Sequence, residues 1–334
     1  MDDFKKRPDE NEYCYIWRIQ QMIDSGEIEN WKAIAPIVNR ECREDESDYR
    51  DESAYRKRAK DYKDFYEFIL PTINSSGQIK TRILCLSDFH VPFHLPISTF
   101  EKYAGKVDIL VLNGDIVDMQ GISKFPKMYR VSPMEELITG RQYLIDLIEY
   151  IHPKQVVINY GNHEVRWSAY FSKNLDPDML ELMPDTALDL LIDDGFYHYD
   201  KRQRTKVWYE PIKNVFEDID VQYTQNWWVK IGKTIFAHPL AYSSGMLKTT
   251  DKAVDYFYRV EKDFDCVILG HTHKLGSFIQ GGVSLYEQGA CCYTEKMNYT
   301  DGRLTYPQQK GYMYLCQDAD GSLIQQNTKL EVIN

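Results

Sequence analysis

Val156-Val157-Ile158 is followed, two residues on, by Gly161-Asn162-His163-Glu164. An apolar run, a tight turn and then nitrogen- and oxygen-bearing side chains is how an α/β protein presents chemistry at the carboxyl end of a strand. Four more runs have the same design. Ile83-Leu84-Cys85-Leu86 leads to Asp88-Phe89-His90, and Ile109-Leu110-Val111-Leu112 leads to Gly114-Asp115 and Asp118. Thr234-Ile235-Phe236-Ala237 ends at His238, and Cys266-Val267-Ile268-Leu269 leads to Gly270-His271-Thr272-His273. This repetition decides the reading of the chain.

The remaining composition is that of a globular protein. The chain has 334 residues, 43% hydrophobic and 27% charged, enough for one large domain and a small one. No run approaches the roughly 18 apolar residues of a membrane span, and the start, Met1-Asp2-Asp3-Phe4-Lys5, has no apolar signal-peptide core. Seven cysteines, with Cys85, Cys266, Cys291 and Cys292 in or beside apparent core strands, fit reduced thiols and a cytoplasmic setting better than a disulfide framework. The net charge of −11 repels polyanions in bulk, so any nucleic-acid contact must rest on local basic clusters.

Residues 1–70 read as a small all-α, trihelical domain. Ile16, Ile19 and Ile23 recur on one face with Trp17 and Met22 beside them. Asn30 is placed to cap a second helix, whose Trp31, Ile34, Ala35 and Val38 fall at i, i+3, i+4, i+7. A third helix is marked by Tyr55, Ala59, Tyr62, Tyr66 and Ile69, and it carries Arg56, Lys57, Arg58, Lys60 and Lys63. A basic last helix is the layout of helix-turn-helix DNA readers. The interleaved Asp51, Glu52, Asp61 and Asp64 equally fit a solvated face, and a protein-docking role is the other reading.

Residues 71–78 form a turn-rich linker, and 79–334 a second domain in which strands and helices alternate. Ser132-Pro133-Met134-Glu135 opens the clearest helix, with a Ser cap, a Pro at the first position and a Glu at the third. Further helices are expected over about 178–192 and 247–260, and hairpin turns at Gly232-Lys233, Gly281-Gly282 and Asp320-Gly321. Lys201-Arg202-Gln203-Arg204-Thr205-Lys206 reads as a basic loop that is either solvated or laid on a phosphate backbone.

Asp, His and Asn side chains gathered at strand ends suit Mn²⁺, Fe, Zn²⁺ or Ni²⁺. Two such ions about 3.5–4 Å apart need a bridging carboxylate, clamp a phosphate and supply hydroxide near neutral pH. A nearby histidine outside the ligand set is a natural proton donor.

The five blocks, in this order, resemble the calcineurin-like metallophosphoesterase superfamily, whose pattern is DxH, GDxxD, GNH[DE], a lone His and GHxH. The helical N-terminal domain gives a looser likeness to phage and prophage-type members. The resemblance implies a two-sheet sandwich flanked by helices. It implies that Asp88, His90 and His273 bind one divalent metal, that Asn162, His238 and His271 bind a second, and that Asp115 bridges them, with manganese favoured. It gives His163 the role of stabilising or protonating the leaving oxygen, with Glu164 orienting it and Asp118 behind the ligands. Arg166, three residues past His163, either binds phosphate or pairs with a carboxylate, and His94, which matches no block, stands close enough to the first motif to line the cleft.

Met119-Gln120 after Asp118, where protein Ser/Thr phosphatases of the superfamily have Arg-Gly, and the closing His-x-His pair argue against a protein phosphatase. Pro239 after His238 stands where many relatives have Gly. The favoured reading is a nuclease or phosphodiesterase acting on nucleic acid, DNA first. The alternative is a phosphatase or phosphodiesterase of a small nucleotide-like substrate, with the helical domain used for docking or oligomerisation. A metal-free scaffold is the third possibility, and the oligomeric state is open.

Overall fold

The computed structural model describes residues 4–7, 10–61, 79–124, 130–243, 245, 247–297 and 308–333. The chain divides into two compact units, Met1–Ser76 and Gly77–Asn334. The first contains helices α1 (Glu12–Asp24), α2 (Trp31–Cys42) and α3 (Glu52–Asp61). Asn11 caps α1 by accepting the Cys14 N–H, and Asn30 caps α2 by accepting that of Ala33, each removing one orphan donor of a helix start. Ile16, Ile19, Trp31, Ile34, Ala35, Val38, Tyr55 and Ala59 close the core, with Tyr15 as an added member and Ile23 and Met22 at its edge.

Two features of this unit depart from a helix-turn-helix. The α2–α3 connection runs from Arg43 to Asp51 through a 3-10 turn at Glu46–Asp48, longer than the roughly three to four residues of that motif. Arg58 is held in an ion pair with Glu12 of α1, which also binds Arg43 at 2.6 Å. Arg56, Lys57 and Lys60 are exposed. Lys63, Tyr62, Tyr66, Ile69 and the 71–78 linker lie outside the described residues.

The second unit is built on β1 (Thr81–Leu86), β2 (Ile109–Asn113), β3 (Gln155–Asn159), β4 (Phe196–Asp200), β5 (Thr205–Tyr209), β6 (Asp220–Tyr223) and β7 (Trp228–Ile231). It continues with β8 (Thr234–Ala237), β9 (Cys266–Leu269), β10 (Leu275–Gln280), β11 (Val283–Gln288), β12 (Lys310–Gln317) and β13 (Lys329–Ile333). One sheet has the order β13-β12-β1-β2-β3-β6, a second β10-β11-β9-β8-β7, and β4-β5 is a separate hairpin. β1, β2, β3 and β6 run parallel, as do β8, β9 and β11.

Strand periodicity explains the layering. Ile83, Cys85 and Val111 of the first sheet face Phe236, Cys266 and Ile268 of the second. The alternate residues Leu84, Leu86, Leu110 and Leu112 face outward onto Leu144, Leu147, Ile148 and Ile151 of α4 (Pro133–Ile151). Beyond α5 (Arg166–Asn174), α6 (Lys248–Val260) covers the outer face of the second sheet, packing Ala253, Val254 and Phe257 on Ile235, Ala237, Val267 and Leu269. The molecule is thus a two-sheet sandwich flanked by helices, and its central strands are apolar throughout because both of their faces are covered.

The hairpin turns at Gly232-Lys233 and Gly281-Gly282 join antiparallel pairs β7–β8 and β10–β11. The helix expected over 178–192 is interrupted: a turn at Pro177–Leu180 stops, and Thr186 caps a new start at Ala187–Asp189 that continues as a π-turn to Asp194. Pro184 between them breaks the helix by lacking an N–H. The basic stretch 201–206 is the turn of the β4–β5 hairpin, and its last two residues already belong to β5.

Candidate metal centre

The carboxyl ends of β1, β2, β3, β8 and β9 meet along one seam between the two sheets. Asn113 closes β2 and donates from Nδ2 to the Ala237 carbonyl across the seam. Asn159 closes β3 and donates to Asn113 Oδ1 and to the Phe236 carbonyl, both at 3.1 Å. These two asparagines stitch the sheets together directly below the polar blocks, and sequence reasoning passed over both. Their signal was available: each is the one amide-bearing side chain at the end of an apolar run.

The blocks above the seam are held in an unusual backbone. Asp88, His90, Asp115, His271 and His273 have φ of +57°, +47°, +53°, +77° and +51°. Left-handed backbone at a non-glycine residue costs about 1–3 kcal/mol and persists only where its surroundings enforce it. Here the loops after β1 and β2 are zipped together: Asp88, His90 and Val91 donate their N–H groups to the carbonyls of Gly114, Asp115 and Ile116. Gly161 is required by close approach, since a methyl group there would overlap the Asp115 carboxylate and lie 2.8 Å from the His238 ring.

The side chains so placed form three overlapping groups among the described residues: Asp88, His90 and His273; His90, Asp115 and His163; and Asp115, His238 and His271. Asp115 Oδ2 lies 3.2 Å from His238 Nε2 and 3.7 Å from both His90 Nε2 and His163 Nε2. His273 Nε2 is 3.0 Å from Asp88 Oδ1 and 3.0 Å from His90 Nε2. Of the residues expected as ligands, Asp88, His90, Asp115, His238, His271 and His273 are therefore brought together. Asp88, His90 and His238 are fully buried, and Asp115 very nearly so.

Several of these atoms have no partner in the protein. Asn162 Oδ1, His238 Nε2, His271 Nε2 and His273 Nδ1 are buried without a hydrogen bond. His238 Nδ1 lies 2.7 Å from the Asn113 carbonyl and must donate to it, which leaves the Nε2 lone pair of the neutral ring aimed at the Asp115 carboxylate. An acceptor facing an acceptor inside a protein is costly, and a cation resolves the conflict. The donor set of imidazole, carboxylate and carboxamide fits a divalent transition metal.

Protons compete for the same places. Burial works against charge on His90 and His238, but the facing carboxylates outweigh it and raise the two rings to about 10 and about 9. Burial likewise opposes ionisation of Asp88 and Asp115, and the imidazoles nevertheless hold both well below the ordinary carboxylate range. Burial, helped by the charge of His238, lowers His271 to about 3, so it presents a neutral ring. Cation binding displaces the protons on His90 and His238, and metal affinity rises with pH.

His163 sits beside the cluster. Its Nδ1 is 2.8 Å from Asp118 Oδ1 and 3.0 Å from the Asp118 carbonyl, and its Nε2 is 2.8 Å from Arg166 NH2. A guanidinium only donates, so Nε2 accepts and the ring proton is on Nδ1. Burial lowers the pKa of His163, with further help from His90 and Arg166. Asp118 also reaches His90 Nδ1 at 3.1 Å and so orients both rings. Arg166 donates to the Asp118 carbonyl at 2.6 Å as well as to His163.

One expectation is corrected. Glu164 does not orient His163: its carboxylate accepts the backbone N–H groups of Asp115, Ile116, Val117 and Gly161 at 2.7–3.1 Å. It ties the loop after β2 to the loop after β3, and the hydrogen-bonding work at His163 falls to Asp118. Burial and the Asp115 charge push Glu164 upward, while the four donors favour its ionised form. His94 pairs with Cys292 through the backbone and packs its ring 4.1 Å from that of Tyr143 in α4, and its Nδ1 is buried without a hydrogen bond.

Buried imidazoles and carboxylates gathered around one aspartate between two sheets define a metal-dependent hydrolase. Residues 81–275, more than half of the chain, match the family described as calcineurin-like phosphoesterase, and the chain belongs to that family. It is a metal-dependent phosphoester hydrolase. Residues 1–73 match the YonJ N-terminal domain. No curated protein matches the chain.

Similar solved structures include vacuolar protein sorting 29 from Cryptosporidium parvum, at 15% identity and a TM-score of 0.36 over 72% of this chain and 86% of that one. An archaeal phosphodiesterase is 15% identical with a TM-score of 0.35, over 75% of this chain and 99% of that one. A metallophosphoesterase from Sphaerobacter thermophilus is 15% identical with a TM-score of 0.34, over 76% and 88%. At these values the neighbours carry no argument about substrate.

Proposed function

We propose that this phosphoesterase cleaves phosphodiester bonds of nucleic acid with two divalent cations, manganese first among them. Asp88, His90 and His273 would hold one ion, Asn162, His238 and His271 the other, and Asp115 both. When bound, such a pair supplies Lewis-acid stabilisation of the phosphoryl oxygens and hydroxide near neutral pH. The observation that carries the reading is the position of Asp115 Oδ2, within 3.7 Å of three different imidazoles, with unpartnered acceptors around it.

The protein's own groups have separate tasks. Asp118 holds the Nδ1 proton of His163, so Nε2, which carries none while it accepts from Arg166, is the atom that would have to take up a proton before passing it to the leaving oxygen. Arg166 donates to that same Nε2, and its N–H groups are the ones a phosphoryl oxygen would draw away. Glu164 keeps Asp115 in place through the backbone on both sides of the seam.

Nucleic acid is favoured over a small nucleotide by where exposed positive charge lies. Arg56, Lys57 and Lys60 on α3, and Lys201, Arg202, Arg204 and Lys206 on the β4–β5 hairpin, are exposed in a chain of net charge −11. The test is a substrate panel with Mn²⁺: single- and double-stranded DNA, RNA, cyclic nucleotides, and mono- and diester chromogens. Polynucleotide cleavage with kcat/KM above that for every mononucleotide is expected. Turnover confined to mononucleotides or monoesters would replace the reading with the small-molecule one.

A further inference from the structure

The β4–β5 hairpin inverts the ordinary rule for an antiparallel pair with one face to solvent. Phe196 is 6% exposed and joins the core, and Tyr209 stacks on it with ring centroids 5.0 Å apart. The opposite face should be polar. It carries Tyr197, Tyr199 and Trp208, at 53, 55 and 46% exposure, together with Lys206. The register sets Tyr197 opposite Trp208 and Tyr199 opposite Lys206, so the four form one contiguous patch of rings and charge without an aliphatic side chain.

The patch is ordered. Tyr197 and Trp208 lie 4.6 Å apart between ring centroids, tilted by 49°, and Lys206 Nζ sits 4.1 Å from the centre of the Tyr197 ring. The Trp208 ring lies so close over Gly195 that a methyl there would approach it to 2.6 Å, and Gly195 has φ +72°. The turn beyond is closed by Asp200, whose Oδ1 accepts the N–H groups of Arg202 and Gln203 at 2.7 and 3.1 Å. It holds up Lys201, Arg202 and Arg204, all exposed.

We propose that this hairpin is a stacking platform for a single-stranded polynucleotide, with bases laid on Tyr197, Tyr199 and Trp208 and the phosphates drawn along the Lys201–Lys206 turn. The inference rests on the nucleic-acid reading of the metal centre and specifies its substrate as unpaired strands. Rings take any base by its π-face, cations take the backbone, and this combination is the chemistry of single-strand binding. A duplex keeps its bases stacked inside and offers the rings nothing. Rings and cations also serve protein interfaces, and that occupant is separated by the test below.

The test uses the full chain and a fluorescent phosphorothioate oligothymidylate that resists cleavage, with its oligoadenylate duplex for comparison. The single strand should bind more tightly than the duplex. Tyr197→Ala and Trp208→Ala should each weaken binding about tenfold, while Trp208→Phe keeps most of it. Replacing Lys201, Arg202 and Arg204 by Gln should lower the slope of log affinity against log salt by about 2. Unaltered melting temperatures show that these surface variants fold.

If the wild type binds and cleaves polynucleotide while the aromatic variants bind equally tightly, the platform falls and the substrate reading stands. If the wild type neither binds nor cleaves any polynucleotide, the substrate reading falls and takes the platform with it. If the aromatic variants change sedimentation behaviour and not oligonucleotide affinity, the patch joins copies of the chain, and the proposal is overturned.

Discussion

At the scale of single residues, His163 separates acid from ligand. It lies in one of the three groups whose atoms could share an ion, yet both its ring nitrogens are engaged, by Asp118 on one side and Arg166 on the other. The proposed role as a proton carrier makes it dispensable for metal and necessary for turnover. His163→Ala should therefore keep near-normal metal content by elemental analysis while turnover falls about 10²–10⁴-fold. A matching loss of metal would make it a ligand. The clustered residues could be read in the sequence because each stands within four positions of a strand end, and here those strand ends lie side by side at one seam. What Glu164 does could not be read that way. Its partners are amides of Asp115, Ile116 and Val117, nearly fifty positions away, and backbone groups leave no trace in a sequence. The same holds for His94, whose nearness to His90 along the chain says nothing about which way its ring turns.

At the scale of elements, the capping box that opens α4 at Ser132 and Glu135 follows from local chemistry and is found. The next residue is another matter. Glu136 is fully buried, with Oε1 accepting the Gln120 N–H at 3.1 Å and Oε2 unpartnered. Burial, and then the Asp118 charge, push it up to about 8. The folded state thus holds a proton that the unfolded chain releases near the ordinary glutamate value. More protons bound in the folded state means that stability falls as pH rises from about 5 to about 8, and is level beyond. Glu136→Gln should remove that part of the slope, worth on the order of 4 kcal/mol between the two pH values, as seen by paired denaturant titrations at pH 5 and pH 8.5. Equal slopes in both proteins would show that Glu136 ionises freely. The β4–β5 pair was missed for a related reason: its outward positions are aromatic, so the polar alternation that announces an edge hairpin is not there.

At the scale of the whole molecule, two units carry positive charge against an acidic background. On α3 the exposed cations are Arg56, Lys57 and Lys60, while Arg58 is paired with Glu12. Converting the three exposed residues to Gln should weaken binding to duplex DNA and lower its salt slope by about 0.9 for each phosphate no longer neutralised, read by anisotropy at several salt concentrations. An unchanged slope would leave the helical unit with a docking role. Lys63 and the linker lie outside the described residues, so the basic surface of this unit is drawn from α3 up to Asp61.

The seam between the sheets has one more consequence. His90 meets His273 at 3.0 Å across 183 positions of chain, and Asn113 reaches Ala237 across 124. Asp88 and His90 share one short loop, yet the group they form is closed by His273, and a nascent chain emerging as far as β3 still lacks His238, His271 and His273. On the proposed ligand assignment, tight uptake would wait until β9 has docked. A metal ion held there would then be a receipt for finished assembly.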